Sequence, residues 1–448
     1  MEINFNDYTS LITNEFIDKY FFESFKKGEK SLELVVSPKC NLACKYCYIK
    51  DFSHKTYPEH LYDDNITLTN VKLILNWLKK NKYHPDLELF SGELLAQNIG
   101  YKILDLMLNH FRFTLPAYRP KIIVIPTNFT FICSEELTRK VETYIEAFKK
   151  EDIRLFLSAS FDGFYEENNR PVAHSLDIPI EITRDGNYYQ KLAQFCLKHD
   201  YGFHPMLYSE GIENWIENFK WFKKLMIDNN IDYLHHLYLL EVRNKNWNTE
   251  KIQHFCKFLR YLYMDLWEDM GHDKDKFIDA LLNHQGYNIL SHILAERGNG
   301  ISCGIQHTLH VRVADLKVFP CHRLMYPHLE TGAFVYNEQK QDLEYQGKHP
   351  ELNIVISLMN GRAAPRCVEC EINEICIKGC LGSQYETTGD MFTPIPTVCN
   401  LEFAKAMTLI QCWIDTGVYE KLLEIMPPQR ARQIKNMREK MEAQKNGK

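Results

Sequence analysis

The chain has no run approaching the roughly 18 consecutive apolar residues that a membrane-spanning helix needs. Its first residues, with Glu2, Asp7 and Glu15, lack the charged-then-apolar layout of a signal peptide. Neither sign of charge dominates: 53 basic residues against 59 acidic ones leave a net charge of −6, without the basic field that holds nucleic acid by its phosphates. A cytoplasmic protein with no membrane span and no nucleic-acid partner is expected. Low-complexity segments are absent, as is any repeat beyond a strand–helix period. What the chain does have is length, 448 residues, enough for a catalytic domain of ordinary size and a smaller second module.

It also has cysteine in plenty. A reducing compartment opposes a disulfide framework, so the fourteen cysteines are left for metal ligation, catalysis or packing. Cys133, Cys196, Cys256 and Cys412 stand alone among apolar neighbours and read as small buried hydrophobes. The other ten fall into two spaced groups.

From residue 31 onward, short β-rich runs alternate with amphipathic stretches. Strands are expected at Leu32 to Ser37, Leu87 to Phe90, Lys121 to Ile125, Leu155 to Ser160, Gly202 to Leu207 and Tyr233 to Leu240. Helices are expected from Leu68 to Leu78 and near 97–112, 135–149, 187–199 and 213–227. This period predicts an α/β fold, a partial (β/α)6 TIM-like barrel over 31–245, with its chemistry at the C-terminal ends of the strands. An extension, 1–30, precedes it. Residues 246–300 read as a helical linker whose aromatic stripe is core. A small cysteine-rich domain is expected over 301–425, opening on a hairpin at His307 to Val313 and Lys317 to Pro320. A basic tail follows over 426–448 and reads as a solvated helix.

The first cysteine group, Cys40-x3-Cys44-x2-Cys47, comes directly after the first expected strand. Three thiolates on one loop can hold a corner of a cubane cluster and leave its fourth iron open, whereas structural zinc normally takes four protein ligands. Chance is a weak competitor, at roughly one chain in a hundred. With Tyr46 before its last cysteine, the motif resembles the signature of the radical S-adenosylmethionine (SAM) superfamily. The resemblance implies a [4Fe–4S] cluster on Cys40, Cys44 and Cys47 that binds SAM and cleaves it to a 5′-deoxyadenosyl radical. Ser91-Gly92-Glu93-Leu94 resembles that family's Gly-Gly-Glu-Pro segment, which binds the methionyl amine, and departs from it at two of four positions. Asn128 and Ser160 resemble residues that touch the SAM ribose and carboxylate. Ser160-Phe-Asp-Gly163, with Arg170 beyond, resembles another segment of the same subfamily.

The second group is Cys303, Cys321, Cys367-x2-Cys370-x5-Cys376-x3-Cys380 and Cys399. A zinc-ribbon-like scaffold is the competing reading, because the run of four can close a tetrahedral site unaided. The full set resembles the SPASM domain. That resemblance implies two auxiliary clusters, one on Cys367, Cys370, Cys376 and Cys399, the other on Cys303, Cys321 and Cys380. The second set then has its fourth ligand elsewhere, with His307, His310 and Cys256 as candidates, or an iron open to substrate. Two positions depart from the family. A glycine is usual where this chain has Leu316, and sulfatase-maturing relatives carry an aspartate base directly after the cysteine, where this chain has His322. His322 is the weak candidate for a catalytic acid or base.

The function implied is modification of a ribosomally made peptide by hydrogen abstraction, forming a thioether, carbon–carbon or similar crosslink. The alternatives are small-molecule dehydrogenation, sulfatase-maturing-like oxidation and a metal-bound scaffold without activity. Only 39 residues precede Cys40, fewer than the roughly 50 of the smallest usual domain, so a separate protein or the barrel itself is expected to hold a peptide leader. A flavodoxin or ferredoxin is the expected electron donor.

Overall fold

The protein is described here from a computed structural model that places residues 21–284, 288–291, 293–294, 305, 307–348, 367, 369–377 and 379–445. In chain order its main elements are β1 (Ser31–Ser37), α1 (Tyr48–Thr56), α2 (Asp64–Asn81), β2 (Asp86–Ser91), α3 (Asn98–Arg112), β3 (Ile122–Thr127), α4 (Glu135–Lys149), β4 (Arg154–Ala159) and α5 (Gly186–His199). There follow β5 (Met206–Leu207), α6 (Trp215–Asp228), β6 (Leu240–Glu241), α7 (Thr249–Asp269) and α8 (Lys274–Asn283). The last part holds β7 (Thr308–Arg312), β8 (Lys317–Phe319), β9 (Gly332–Asn337), β10 (Asp342–Gly347), α9 (Leu381–Thr388), α10 (Pro396–Thr416) and α11 (Pro428–Lys445). The chain divides into two units, the first comprising Met1–Ser160, Arg170–Tyr201 and Gly304–Leu358, the second Phe161–Asn169, Gly202–Cys303 and Met359–Lys448.

The first unit is built on a large, mainly parallel sheet of order β10-β9-β8-β7-β1-β2-β3-β4. Its strands alternate. Leu32, Leu34, Leu87, Leu89, Ile123, Ile125, Leu155 and Leu157 form one buried face, and the residues between them the other. Helix starts follow from local side chains. Asp63 accepts from the N–H groups of Asn65 and Ile66 ahead of α2, Ser134 from Leu137 ahead of α4, and Asp185 from Tyr188 ahead of α5. These caps fix α4 at the bounds its sequence pattern predicts.

The hairpin expected near residue 307 is present as antiparallel β7 and β8. Its first strand pairs parallel with β1, so β7–β10 extend the first unit's sheet instead of standing in a domain that opens at residue 301. Leu316, in the turn, takes a left-handed φ of 57°. The usual glycine at this position therefore has a physical reason, and leucine occupies it under strain.

In the second unit, β5 and β6 form a small parallel sheet. The sixth expected strand is corrected here. Tyr233–His236 is a helical turn, because Asp232 accepts from the Leu234 N–H, and the extended part is confined to Leu237, in an isolated parallel bridge to Phe203, and Leu240–Glu241. The expected helical stretch resolves into α7, α8 and a short turn at Asn288–Ser291. Of the four lone cysteines, Cys196 and Cys412 are buried, while Cys133 and Cys256 are partly exposed.

Candidate active site

The three N-terminal cysteines follow β1 at its C-terminal end. Cys44 is buried and Cys40 and Cys47 are half-buried. Burial, together with nearby Glu93, Cys44 and Cys47, pushes the Cys40 thiol well up. Burial also raises that of Cys47, although the N–H groups of Ile49 and Lys50 at the start of α1 favour its thiolate. The Leu42 N–H faces the Cys40 sulfur at 3.5 Å, and the Asn128 amide does so at 3.8 Å. Arg170 donates from Nε to the Cys44 sulfur at 3.3 Å.

The donor set fits an iron–sulfur cluster. It offers three sulfurs on one loop with N–H donors around them, and buried thiols that a cation would turn to thiolates.

The segment after β2 holds this loop in place. Gly92 N–H donates to the Ser37 carbonyl at 2.8 Å, Glu93 N–H to the Lys39 carbonyl at 2.9 Å, and Ser91 Oγ to the Ser37 carbonyl at 2.7 Å. A Cβ on Gly92 would lie 2.3 Å from the Lys39 carbonyl oxygen, so the loop's backbone can pass only over glycine. Glu93 is fully buried. Its Oε1 accepts from the Leu95 N–H at 3.1 Å and the Thr127 hydroxyl at 2.9 Å, and its Oε2 from the Asn128 N–H at 2.6 Å. Burial raises its carboxyl to about 7 against those three donors.

Asn128 reaches from the end of β3 to Asn41 at 2.8 Å and accepts from Thr130 on its own oxygen at 2.7 Å. Arg170 also donates to the Ser160 carbonyl, and Arg184 Nη1 donates to the Arg170 carbonyl at 2.9 Å. Of the expected SAM contacts, Ser91, Gly92, Glu93, Asn128, Ser160 and Arg170 are thus brought together as supports of the cysteine loop. Tyr46 lies on the loop itself, half-buried. Asn41, Thr130 and Gln97 complete the brace; Gln97 donates to the Lys39 carbonyl at 3.0 Å. Sequence reading missed these three, since lone amides and hydroxyls carry no spacing signal.

In the second unit, Cys367, Cys376, Cys380 and Cys399 line one cavity with Arg243, Gln384 and Glu402. Cys370, whose N–H meets the Cys367 carbonyl at 3.3 Å, follows on the same turn. Cys380, which the family resemblance groups with Cys303 and Cys321, shares this wall. Cys303 lies outside the described residues, and Cys321 belongs to the first unit. Behind the cavity Lys405 is almost fully buried and bridges Glu241 at 3.0 Å and Glu402 at 2.8 Å. A cavity lined by four thiols suits metal binding of either the cluster or the zinc kind.

A third feature was not read from the sequence. Glu33 on β1 stands in register with Glu88 on β2 and His310 on β7, and Glu88 with Val124 on β3. Residues in register share a face, so one polar row crosses an otherwise apolar sheet. His322, following Cys321, folds over this row with its ring parallel to that of Phe90 at 4.3 Å. The available signal was a charge inside each of two apolar runs, Leu32 to Val36 and Leu87 to Phe90.

No family model matches the chain. The curated radical SAM cyclopropyl synthase TigE of Paramaledivibacter caminithermalis is 25% identical over 209 residues, 40% of this chain and 42% of that protein. The match thus spans less than half of that relative's length. Among solved structures, hexahistidine-tagged anSMEcpe with bound AdoMet aligns over 91% of this chain and 98% of its own, at 17% identity and a TM-score of 0.52, which shows a shared fold. SuiB of Streptococcus suis bound to S-adenosylmethionine aligns over 87% of this chain and 81% of its own, at 12% identity and a TM-score of 0.42.

Proposed function

We propose that this chain is a radical SAM enzyme of the SPASM-type branch that cleaves SAM reductively and modifies a ribosomally made peptide by hydrogen abstraction. The observation that carries the radical chemistry is the braced loop of Cys40, Cys44 and Cys47. What a cluster with SAM supplies there is one-electron cleavage and a carbon radical that takes hydrogen from substrate.

The chain's own residues do the rest. Cys40, Cys44 and Cys47 would hold the cluster, with Asn128 and Arg170 donating toward the sulfurs and Glu93 and Gln97 fixing the loop. The cysteines of the second unit would hold auxiliary clusters as electron acceptors. Electrons would enter from a flavodoxin or ferredoxin. The seven-cysteine set supports a peptide substrate, and the relative named a cyclopropyl synthase favours a new carbon–carbon bond over a thioether.

The test is iron and acid-labile sulfide per chain after anaerobic reconstitution, with 5′-deoxyadenosine assayed after dithionite and SAM. The wild type should hold about twelve irons, and a Cys40→Ala, Cys44→Ala, Cys47→Ala variant about eight with no nucleoside formed. Zinc in place of iron, or no nucleoside from loaded wild type, would overturn the radical reading. For the substrate, a precursor peptide encoded beside the gene should lose two hydrogens on turnover. Unchanged peptide with continued nucleoside formation would refute the peptide reading alone.

A further inference from the structure

Glu33, His310 and His322 meet in the first unit. His310 Nδ1 lies 2.8 Å from Glu33 Oε1, and His322 Nδ1 lies 3.2 Å from Oε1 and 2.9 Å from Oε2. All three donor atoms fall within 4.8 Å of one another. Two atoms each bound at about 2.1 Å to one ion stand about 3.0 Å apart at a right angle and about 3.4 Å apart at the tetrahedral angle. The Glu33–His310 and Glu33–His322 separations match that spacing. We propose that Glu33, His310 and His322 form a mononuclear site for a divalent transition-metal ion, separate from any iron–sulfur cluster and open on its remaining coordination positions to an oxygen donor from water or substrate.

Three further observations support it. Two imidazoles and one carboxylate are the set that binds such ions facially and leaves positions free. His310 is 4% exposed, and while its Nδ1 meets Glu33, its Nε2 is buried without a hydrogen-bond partner among the described residues, so hydrogen bonding accounts for only one of its two ring nitrogens. Charge points the same way. Glu88, next in register to Glu33, accepts no hydrogen bond among the described residues, so a second acidic side chain borders the cluster. The guanidinium of Arg312, on β7 beyond His310, is already engaged by Asp315 at 2.7 Å.

The site is also placed to matter. The Tyr48 ring, which follows Cys47 directly in sequence, stacks on His322 at 5.8 Å.

The experiment uses the full-length protein, anaerobically reconstituted and then equilibrated with Mn2+, which prefers carboxylate and imidazole to thiolate and so does not report vacant cysteines. Manganese retained after desalting, and its affinity by equilibrium dialysis, are measured beside iron and sulfide. The wild type should retain about one manganese per chain. Glu33→Gln and His310→Ala should each weaken binding by more than about tenfold, with iron and sulfide unchanged. His322→Gln, at a side chain 26% exposed, repeats the test where folding is least at risk. Absence of retained manganese in wild type, or equal retention in His322→Gln and wild type, overturns the site. Both outcomes are independent of whether SAM is cleaved.

Discussion

Gly92→Ala is the sharpest test of the brace around the cysteine loop. A Cβ there would stand 2.3 Å from the Lys39 oxygen, 2.6 Å from its carbonyl carbon and 2.6 Å from the Pro38 oxygen. All three are backbone atoms, so no side chain can rotate away. Overpacking of this kind costs about 1–3 kcal/mol, and moving the loop outward also strains the Gly92–Ser37 and Glu93–Lys39 hydrogen bonds, at about 0.5 kcal/mol each. The sum is about 2–4 kcal/mol. In a domain of this size that lowers the thermal midpoint by about 5–10 °C. If the loop shifts instead, the strain appears as iron loss at the N-terminal site. The assay is therefore paired: thermal midpoint by circular dichroism, and iron per chain. Gly186→Ala is the control. Its Cβ meets nothing within 4 Å at the first position of α5, and it should stabilise by about 0.4–1 kcal/mol. A Gly92→Ala protein with wild-type midpoint and full iron would refute the argument that backbone contact requires glycine there.

Three more outcomes follow from the structure. His110, in the last turn of α3, has its pKa lowered to about 4 by burial and, secondarily, by Lys79. Its protonated form therefore favours the unfolded chain, and stability should fall by about 1–2 kcal/mol, after allowance for solvent screening, as pH drops from about 6.5 to about 4. His110→Gln should remove that slope from urea denaturation curves, and an unchanged slope would contradict it. Lys405→Ala leaves Glu241 and Glu402 buried without their shared cation and should cost about 3–5 kcal/mol, whereas Lys421→Ala, which loses an exposed pair with Asp275, should cost under about 1 kcal/mol. Equal denaturation midpoints for the two variants would refute this ranking. Leu316→Gly relieves about 1 kcal/mol of left-handed strain but forfeits about 2 kcal/mol of burial, so a net loss near 1 kcal/mol is expected in denaturation, and a gain in stability would show that strain outweighs packing there.

Much of the fold was legible because its signals are local. β1 to β4 fall on the short β-rich runs of the sequence, and α4 runs from its Ser134 cap to Lys149 as its pattern predicts. Cysteine spacing made the N-terminal loop legible in the same way. Tyr233 to Leu240 failed because a strand-like composition was overruled by the Asp232 cap at its head. The pairing of β7 with β1 had no local signal at all. It joins residues almost three hundred positions apart, and the hairpin reads identically whether it stands alone or extends another sheet.

The polar row shows what a different reading rule would have recovered. Each of Glu33, Glu88 and His310 sits one at a time inside an apolar strand and reads there as a routine outward-facing polar residue of a half-buried sheet. In β1, however, every residue from Leu32 to Ser37 is buried, so neither face of the strand is free for such a residue. Glu33, at 1% exposure, is consequently a charge buried at a cost of several kcal/mol unless paired. The pairing imidazoles come from β7 and from the segment after β8, nearly three hundred residues on, so no window of sequence contains both halves of the pair. A lone carboxylate in a parallel strand is therefore best read as a demand for a distant cationic partner, and the histidines in the strands that follow are the first residues to try.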